Sequence, residues 1–238
     1  MTSVTYLHHS GFLVATEHGQ LLFDWWNTAV PALDPEKDLV VFVSHRHPDH
    51  FDPAIWKLAA VHPHVFYVLS DDIWQNRVPD EHRGRVEFVD PGSVLELAEC
   101  GGMKVTAFRS TDEGVAFLVE VDGKVIYHAG DLNDWQWKGE PDPWNPDIHA
   151  AYGKELERIR GKGLRPDLAM LVLDGRQEEL YSLGIDEFMR TVGAKMVFPM
   201  HFWDDFDLIR RFKALSCTED YREKIVEIQE KGQVFLCP

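Results

Sequence analysis

The chain has 238 residues, 45% apolar and 27% charged, which is enough to bury a sizeable core and fits one domain spanning 1–238. With 40 acidic residues against 24 basic ones the net charge is −16, a field that argues against nucleic acid and anionic membrane surfaces as partners. No segment approaches the roughly 18 apolar residues of a membrane span, and the opening MTSVTYLHHSGF lacks the basic-then-apolar order of a secretory signal. Cys100, Cys217 and Cys237 show no CxxC spacing and fit a reducing cytoplasm.

In chain order, short runs rich in Val, Leu, Phe and Tyr predict strands at 4–7, 12–15, 21–23, 39–43, 65–69, 86–89, 104–108, 116–121, 124–127, 168–173, 195–198 and 234–236. Asp122-Gly123 marks a tight hairpin, because both turn positions must accept positive φ. Helices are expected at 53–60, 71–75, 148–160, 185–192, 205–215 and 218–231, the first with Asp52 as its cap and Pro53 in its first turn. The strand-rich first half and alternating second half predict two sheets packed face to face, with helices outside.

Against that background one stretch stands out. VFVSHRHPDHFDP places three histidines and an aspartate within six positions, between a core strand and the cap of the next helix. Imidazole and carboxylate are ligands suited to zinc and its first-row neighbours. In extended chain His45 and His47 point the same way and can close on one metal, while Asp49 and His50, beyond Pro48, face a second position. Bimetallic hydrolases use such pairs at roughly 3.5 to 4 Å separation. One hexapeptide cannot complete two sites. VIYHAGD and MVFPMHFW supply further candidates, since each is an apolar run ending in a metal-type ligand, Asp131 and His201.

With VTYLHHSGFLV and LLFDWW added, these segments resemble the metallo-β-lactamase-fold superfamily of metal-dependent hydrolases. The branch they look like contains ascorbate-6-phosphate lactonase and N-acylphosphatidylethanolamine phospholipase D-type enzymes. The resemblance implies an α+β fold, an αββα sandwich of two mixed sheets with the site at one edge. It also implies His45 and His47 at a first metal, Asp49, His50 and His201 at a second, and Asp131 bridging both. One departure stands out: where the family supplies a third first-site histidine, this chain reads FRSTDEGVAF. Asp112 is the substitute candidate, as ligand or as support for one, with a plain turn residue as the alternative. His128 is expected in the core or behind the ligands. His9 matches a family position near the metals, suited to orienting substrate or protonating a leaving group, while His8 should point away. Asp24 reads either as the carboxylate holding the hexapeptide or as a strand-end turn residue. Arg176 reads as a surface ion pair or as a contact for an anionic substrate group, and tryptophans near the strand ends as pocket wall or as core.

The function expected is hydrolysis of a small soluble ester, lactone or phosphoester by a metal-bound hydroxide, with Asp49 and Asp131 holding the nucleophile and His9 serving the leaving group. One or two Zn2+ ions are implied, with Mn2+ next. The partner is a small-molecule substrate, and a homo-oligomer stays possible. Two rivals remain: a phosphodiesterase for nucleotides, RNA ends or phospholipid, and a metal-binding sensor or scaffold without catalysis.

Overall fold

The hydrophobic run Asp38–Val43 shows how the architecture arises. Val40 and Phe42 face one way and Leu39, Val41 and Val43 the other, and all five are buried. A strand buried on both faces needs a layer on each side. The computed structural model, which describes residues 1–238, supplies both.

The first sheet contains β1 (Thr2–His8), β2 (Gly11–Ala15), β3 (Gly19–Phe23), β4 (Asp38–Val43), β5 (Val65–Ser70) and β6 (Val86–Val89). The second contains β7 (Val94–Leu97), β8 (Met103–Arg109), β9 (Val115–Val121), β10 (Lys124–His128), β11 (Leu168–Val172) and β12 (Met196–Met200). The last strand, β13 (Val234–Cys237), returns to pair antiparallel with β1. The strand orders are β13-β1-β2-β3-β4-β5-β6 and β12-β11-β10-β9-β8-β7. Both sheets are mixed. β3 through β6 run parallel, as do β10 through β12, and the remaining neighbours are antiparallel.

Between the sheets lies the main core, where Phe23 stacks on Phe42 at 4.7 Å and Phe117 meets Phe42 at 5.2 Å from the facing sheet. A second core covers the outer face of the first sheet, where Ile55, Trp56 and Leu58 of a 3₁₀ segment pack on Val41, Val43 and Tyr67. Helices α1 (Trp144–Arg160) and α2 (Leu183–Thr191) cross between the parallel strands of the second sheet, and α3 (Asp207–Lys213) follows β12. No helix is long and apolar enough to cross a membrane. Cys100, Cys217 and Cys237 are free thiols.

The predicted αββα arrangement is present, with four corrections. The segment 53–60 is a 3₁₀ helix rather than an α-helix, although Asp52 caps it through Ala54 N at 2.8 Å with Pro53 in the first turn. Residues 71–73 form a turn and bend, and Gln75 only opens a 3₁₀ turn over Gln75–Arg77. The expected helix over 218–231 is absent beyond 3₁₀ turns at Ser216–Thr218 and Arg222–Lys224. The open edge of β12 captures this stretch instead: Val226 N donates to Val197 O at 2.8 Å, and Ile225 and Ile228 are buried in the main core. Strand β7, Val-Leu-Glu-Leu, went unpredicted because it is a short edge strand with half its residues exposed. The Asp122-Gly123 turn is as expected, with φ of 50° and 70°.

Candidate metal centre

Seven chain segments end at one edge of the sandwich. His9 follows β1, Asp24 follows β3, Ser44–His50 follow β4, Asp131 follows β10, Asp174 follows β11 and His201 follows β12, while Asp112 lies in the β8–β9 turn. Carboxyl ends of strands are the usual place for functional groups in such sheets, since the strands are rigid and the loops free to vary. The junction is drawn tight. His201 N donates to His9 O at 3.1 Å, and Val115 N donates to Ser44 O at 2.9 Å. His9, Asp24 and His201 all sit at positive φ (55°, 39° and 67°), a strained conformation of the kind concentrated at functional sites.

The donors fall into two groups, each with ligand atoms within 4.8 Å of one another: His45, His47, Asp112 and Asp131, and His9, Asp49, His50 and His201. In the first, His45 Nε2 lies 3.0 Å from His47 Nδ1 and 3.6 Å from Asp131 Oδ2, and His47 Nδ1 lies 3.7 Å from Asp112 Oδ2. In the second, His9 Nε2 lies 3.3 Å from Asp49 Oδ2. Asp131 turns its other oxygen, Oδ1, to this group, 3.2 Å from His50 Nε2 and 3.5 Å from His201 Nε2. Donors held 2.0–2.1 Å from one tetrahedral zinc stand roughly 3.3 Å apart, so both groups have the spacing of a coordination shell.

Satisfaction of the buried atoms tests the fit independently. His9 Nε2, His50 Nε2 and Asp131 Oδ1 are buried without a hydrogen-bond partner, and the 3.3 Å approach of His9 to Asp49 lacks hydrogen-bond alignment. Each such orphan costs about 1–3 kcal/mol unless something else satisfies it. A cation does that for all of them at once, and the residues present fit one.

Behind the donors, the far side of two imidazoles is fixed by a carboxylate. His50 Nδ1 is 2.7 Å from Asp24 Oδ2, and Asp24 also accepts Ser44 N at 2.8 Å and Ser44 Oγ at 2.6 Å. His201 Nδ1 is 2.9 Å from Asp174 Oδ2. Ser44 Oγ lies 3.0 Å from His45 Nδ1. Such partners fix ring orientation and leave Nε2 free to face the centre.

Electrostatics agree. Burial pushes His9 down to about 4 and His45 down to about 3, so both rings are neutral and able to coordinate. Burial disfavours charge at His201 as well, but Asp131 and Asp174 outweigh it and raise the imidazole to about 10. At Asp131 burial is again outweighed, here by His50 and His201, which hold the carboxyl well below its usual range. Burial and the neighbouring Asp131 push the Asp112 carboxyl up. Protons act here as the counter-charge that a divalent cation would replace.

All the candidates named from sequence gather at this edge: His9, His45, His47, Asp49, His50, Asp112, Asp131 and His201. Asp24 takes the supporting place rather than that of a turn residue. His128 lies in the core, stacked on Phe23 at 4.9 Å and 2.8 Å from Ser10 O. His8 points away and stacks on Trp26 at 4.9 Å. Sequence reasoning missed Asp174 and Ser44. Arg176 pairs with Asp174 at the cavity rim, so its ion pair supports His201 rather than sitting apart on the surface. A cavity of about 350 Å3 opens over the donors and is walled by Trp135, Trp137, Trp144 and Trp203.

The fold and donor set are those of a metal-dependent hydrolase scaffold. Residues 3–141, more than half the chain, match the β-lactamase superfamily domain, and the chain belongs to that family. It is 30% identical over 223 residues to a metal-dependent hydrolase of Opitutus terrae, covering 84% of each chain. It is 28% identical to one of Methanocorpusculum labreanum, covering 83% of this chain and 82% of that one. Among solved structures it is similar to Igni18, a metallo hydrolase of Ignicoccus hospitalis, with a TM-score of 0.69, 17% identity and coverage of 98% and 97%.

Proposed function

We propose that the protein hydrolyses a small ester or lactone at a pair of divalent cations, zinc first and manganese second. His45, His47, Asp112 and Asp131 would hold one cation and His9, Asp49, His50 and His201 the other, with Asp131 presenting Oδ2 to the first group and Oδ1 to the second. In such a centre the cations acidify a water to a pKa of about 7 and polarise the oxygen of the scissile group. Asp49 and Asp131, both held ionised, would orient the attacking water by accepting hydrogen bonds from it, and the proton it loses passes to solvent. The new C–O bond forms as the bond to the leaving oxygen breaks, and that oxygen takes up a proton from water. His9, with its ring neutral and Nε2 turned to the donors, acts as a ligand in this scheme rather than as the leaving-group acid.

The observation that carries this reading is that His9 Nε2, His50 Nε2 and Asp131 Oδ1 are buried and unpartnered among the donors, with His50 Nε2 3.2 Å from Asp131 Oδ1 and within 4.8 Å of the ligand atom of His9. Three free thiols suit a reducing cytoplasm as its location.

Metal counting tests the proposal. Reconstituted protein, analysed by mass spectrometry after removal of free ions, is expected to retain two ions per chain, and Asp112→Ala one. A lactone and ester panel should be turned over by the wild type and slowed at least a hundredfold by Asp131→Ala. Protein that keeps no transition metal would sink the proposal. Protein that keeps two ions without turning over any ester, lactone or phosphodiester would favour a sensor.

A further inference from the structure

Four tryptophans wall the cavity over the donors, and packing does not explain two of them. Trp144 and Trp203 are each 47% exposed, although the large apolar side chains of the core are almost wholly buried. The rings bracket the reacting centre. Trp135 and Trp203 lie 5.6 and 5.7 Å from the His201 ring, and Trp203 lies 4.4 Å from His9. Trp137 stacks parallel to Trp135 at 5.8 Å.

The wall is built and braced. Asn145 brackets Trp137, accepting its N–H and donating to its carbonyl, both at 2.9 Å. Gln177 donates to the carbonyls of Asp134 and Gln136 at 2.8 and 3.1 Å, and Trp135 Nε1 donates to Asp131 O at 2.8 Å. These contacts fix the backbone of the wall, and Trp144 Nε1 in turn donates to Trp135 O at 3.3 Å; indoles tied through Nε1 lose little freedom when a ligand arrives, which favours binding.

Charge narrows the class of ligand. The cationic side chains lining the cavity are His201, which is paired with Asp131 and Asp174, and Arg176, whose charge is already engaged. The Arg176 Nε reaches both Asp174 oxygens, at 3.0 and 2.9 Å, and its guanidinium lies over Trp203 at 4.9 Å. Away from the metal-binding donors, the cavity wall offers flat π surfaces, with no free cationic side chain to hold a second anionic group of a substrate.

We propose that the substrate is an uncharged ester or lactone carrying an aromatic ring, which lodges against Trp203 and Trp144 while the scissile carbonyl sits over the donors. This rests on the hydrolase reading above. It adds a choice that reading leaves open, a neutral aryl compound over a phosphoester.

The experiment compares kcat/KM of the zinc-reconstituted full chain for an aryl-substituted lactone, an alkyl lactone of the same ring size, and a phenyl phosphodiester. The aryl lactone is expected to lead the alkyl one about tenfold, mostly through KM, as one well-stacked ring supplies. Trp203→Ala and Trp144→Ala should each shrink the aryl-to-alkyl ratio about fivefold, and Trp74→Ala, exposed away from the cavity, should leave the ratio where it was. In parallel, an unreactive aryl cyclic ether should quench indole fluorescence saturably, and less so in Trp203→Ala. A ratio near one, a preference for the phosphodiester, or no saturable quenching would overturn the proposal. If no substrate is turned over, the hydrolase reading falls, and the quenching titration alone then decides whether the cavity takes an aryl group.

Discussion

Asp24 is fully buried, yet its carboxylate keeps its charge. Burial alone would neutralise it, but His50 Nδ1, Ser44 N and Ser44 Oγ all point at its two oxygens, and the carboxyl stays below its usual range. The same contacts fix the His50 ring, so that Nε2 faces Asp131. Asp24→Ala removes the acceptor from three buried donors at once, at about 1–3 kcal/mol for each one left unpaired. The ring also loses its orientation. The expected result is a 10–100-fold weaker hold on metal, the usual cost of losing such a partner, together with a clear fall in Tm. Chelator-competition titration and calorimetry measure the two effects separately. Unchanged metal affinity in a folded Asp24→Ala protein would show that His50 is not held for a cation.

At the scale of elements, the site depends on how closely the β8–β9 turn approaches the end of β4. Gly114 has φ +67°, and a Cβ there would meet Ser44 O at 2.0 Å and His45 Cβ at 2.6 Å. Gly123, in the β9–β10 hairpin, has φ +70° but open space around it. Both carry left-handed strain if substituted, and only the first also clashes with backbone. Gly123→Ala should therefore cost about 1 kcal/mol and keep the metal. Gly114→Ala should cost about 2–5 kcal/mol and release the ion that His45 and Asp112 are proposed to hold, because the clash displaces either the turn or the histidine strand. Denaturant titration with metal content per chain tests the pair, and equal behaviour of the two variants would contradict the account. The same locality explains what could be read from sequence. His45, His47, Asp49 and His50 lie within one short segment after an apolar run, and Asp131 and His201 each end a run of their own. Asp174 followed by glycine reads as an ordinary turn, and its partner His201 is 27 residues away. Strand β7 and the 218–231 segment were misread for a related reason. Their conformation is set by a neighbouring strand, β8 in one case and β12 in the other, rather than by local periodicity.

For the molecule as a whole, the net charge of −16 sets a long-range field that opposes the attraction near the site. Far from the surface an anionic compound is repelled, and only within a few ångströms of the bound cations would it be drawn in. Salt screens the first effect strongly, since the Debye length is about 10 Å at 0.1 M, and the short contact hardly at all. A carboxylate-bearing aryl ester should therefore show kcat/KM rising about three- to tenfold between roughly 0.01 and 0.3 M salt, reflecting faster encounter. The neutral aryl ester should stay flat over the same range, because it feels neither effect. The comparison separates field from pocket: Trp203→Ala should lower both compounds' kcat/KM without changing either salt slope, since the indole contributes contact area and no net charge. A neutral substrate whose rate climbs with salt would mean that screening acts on the protein's own cavity, for example by loosening the Arg176–Asp174 pair that holds His201.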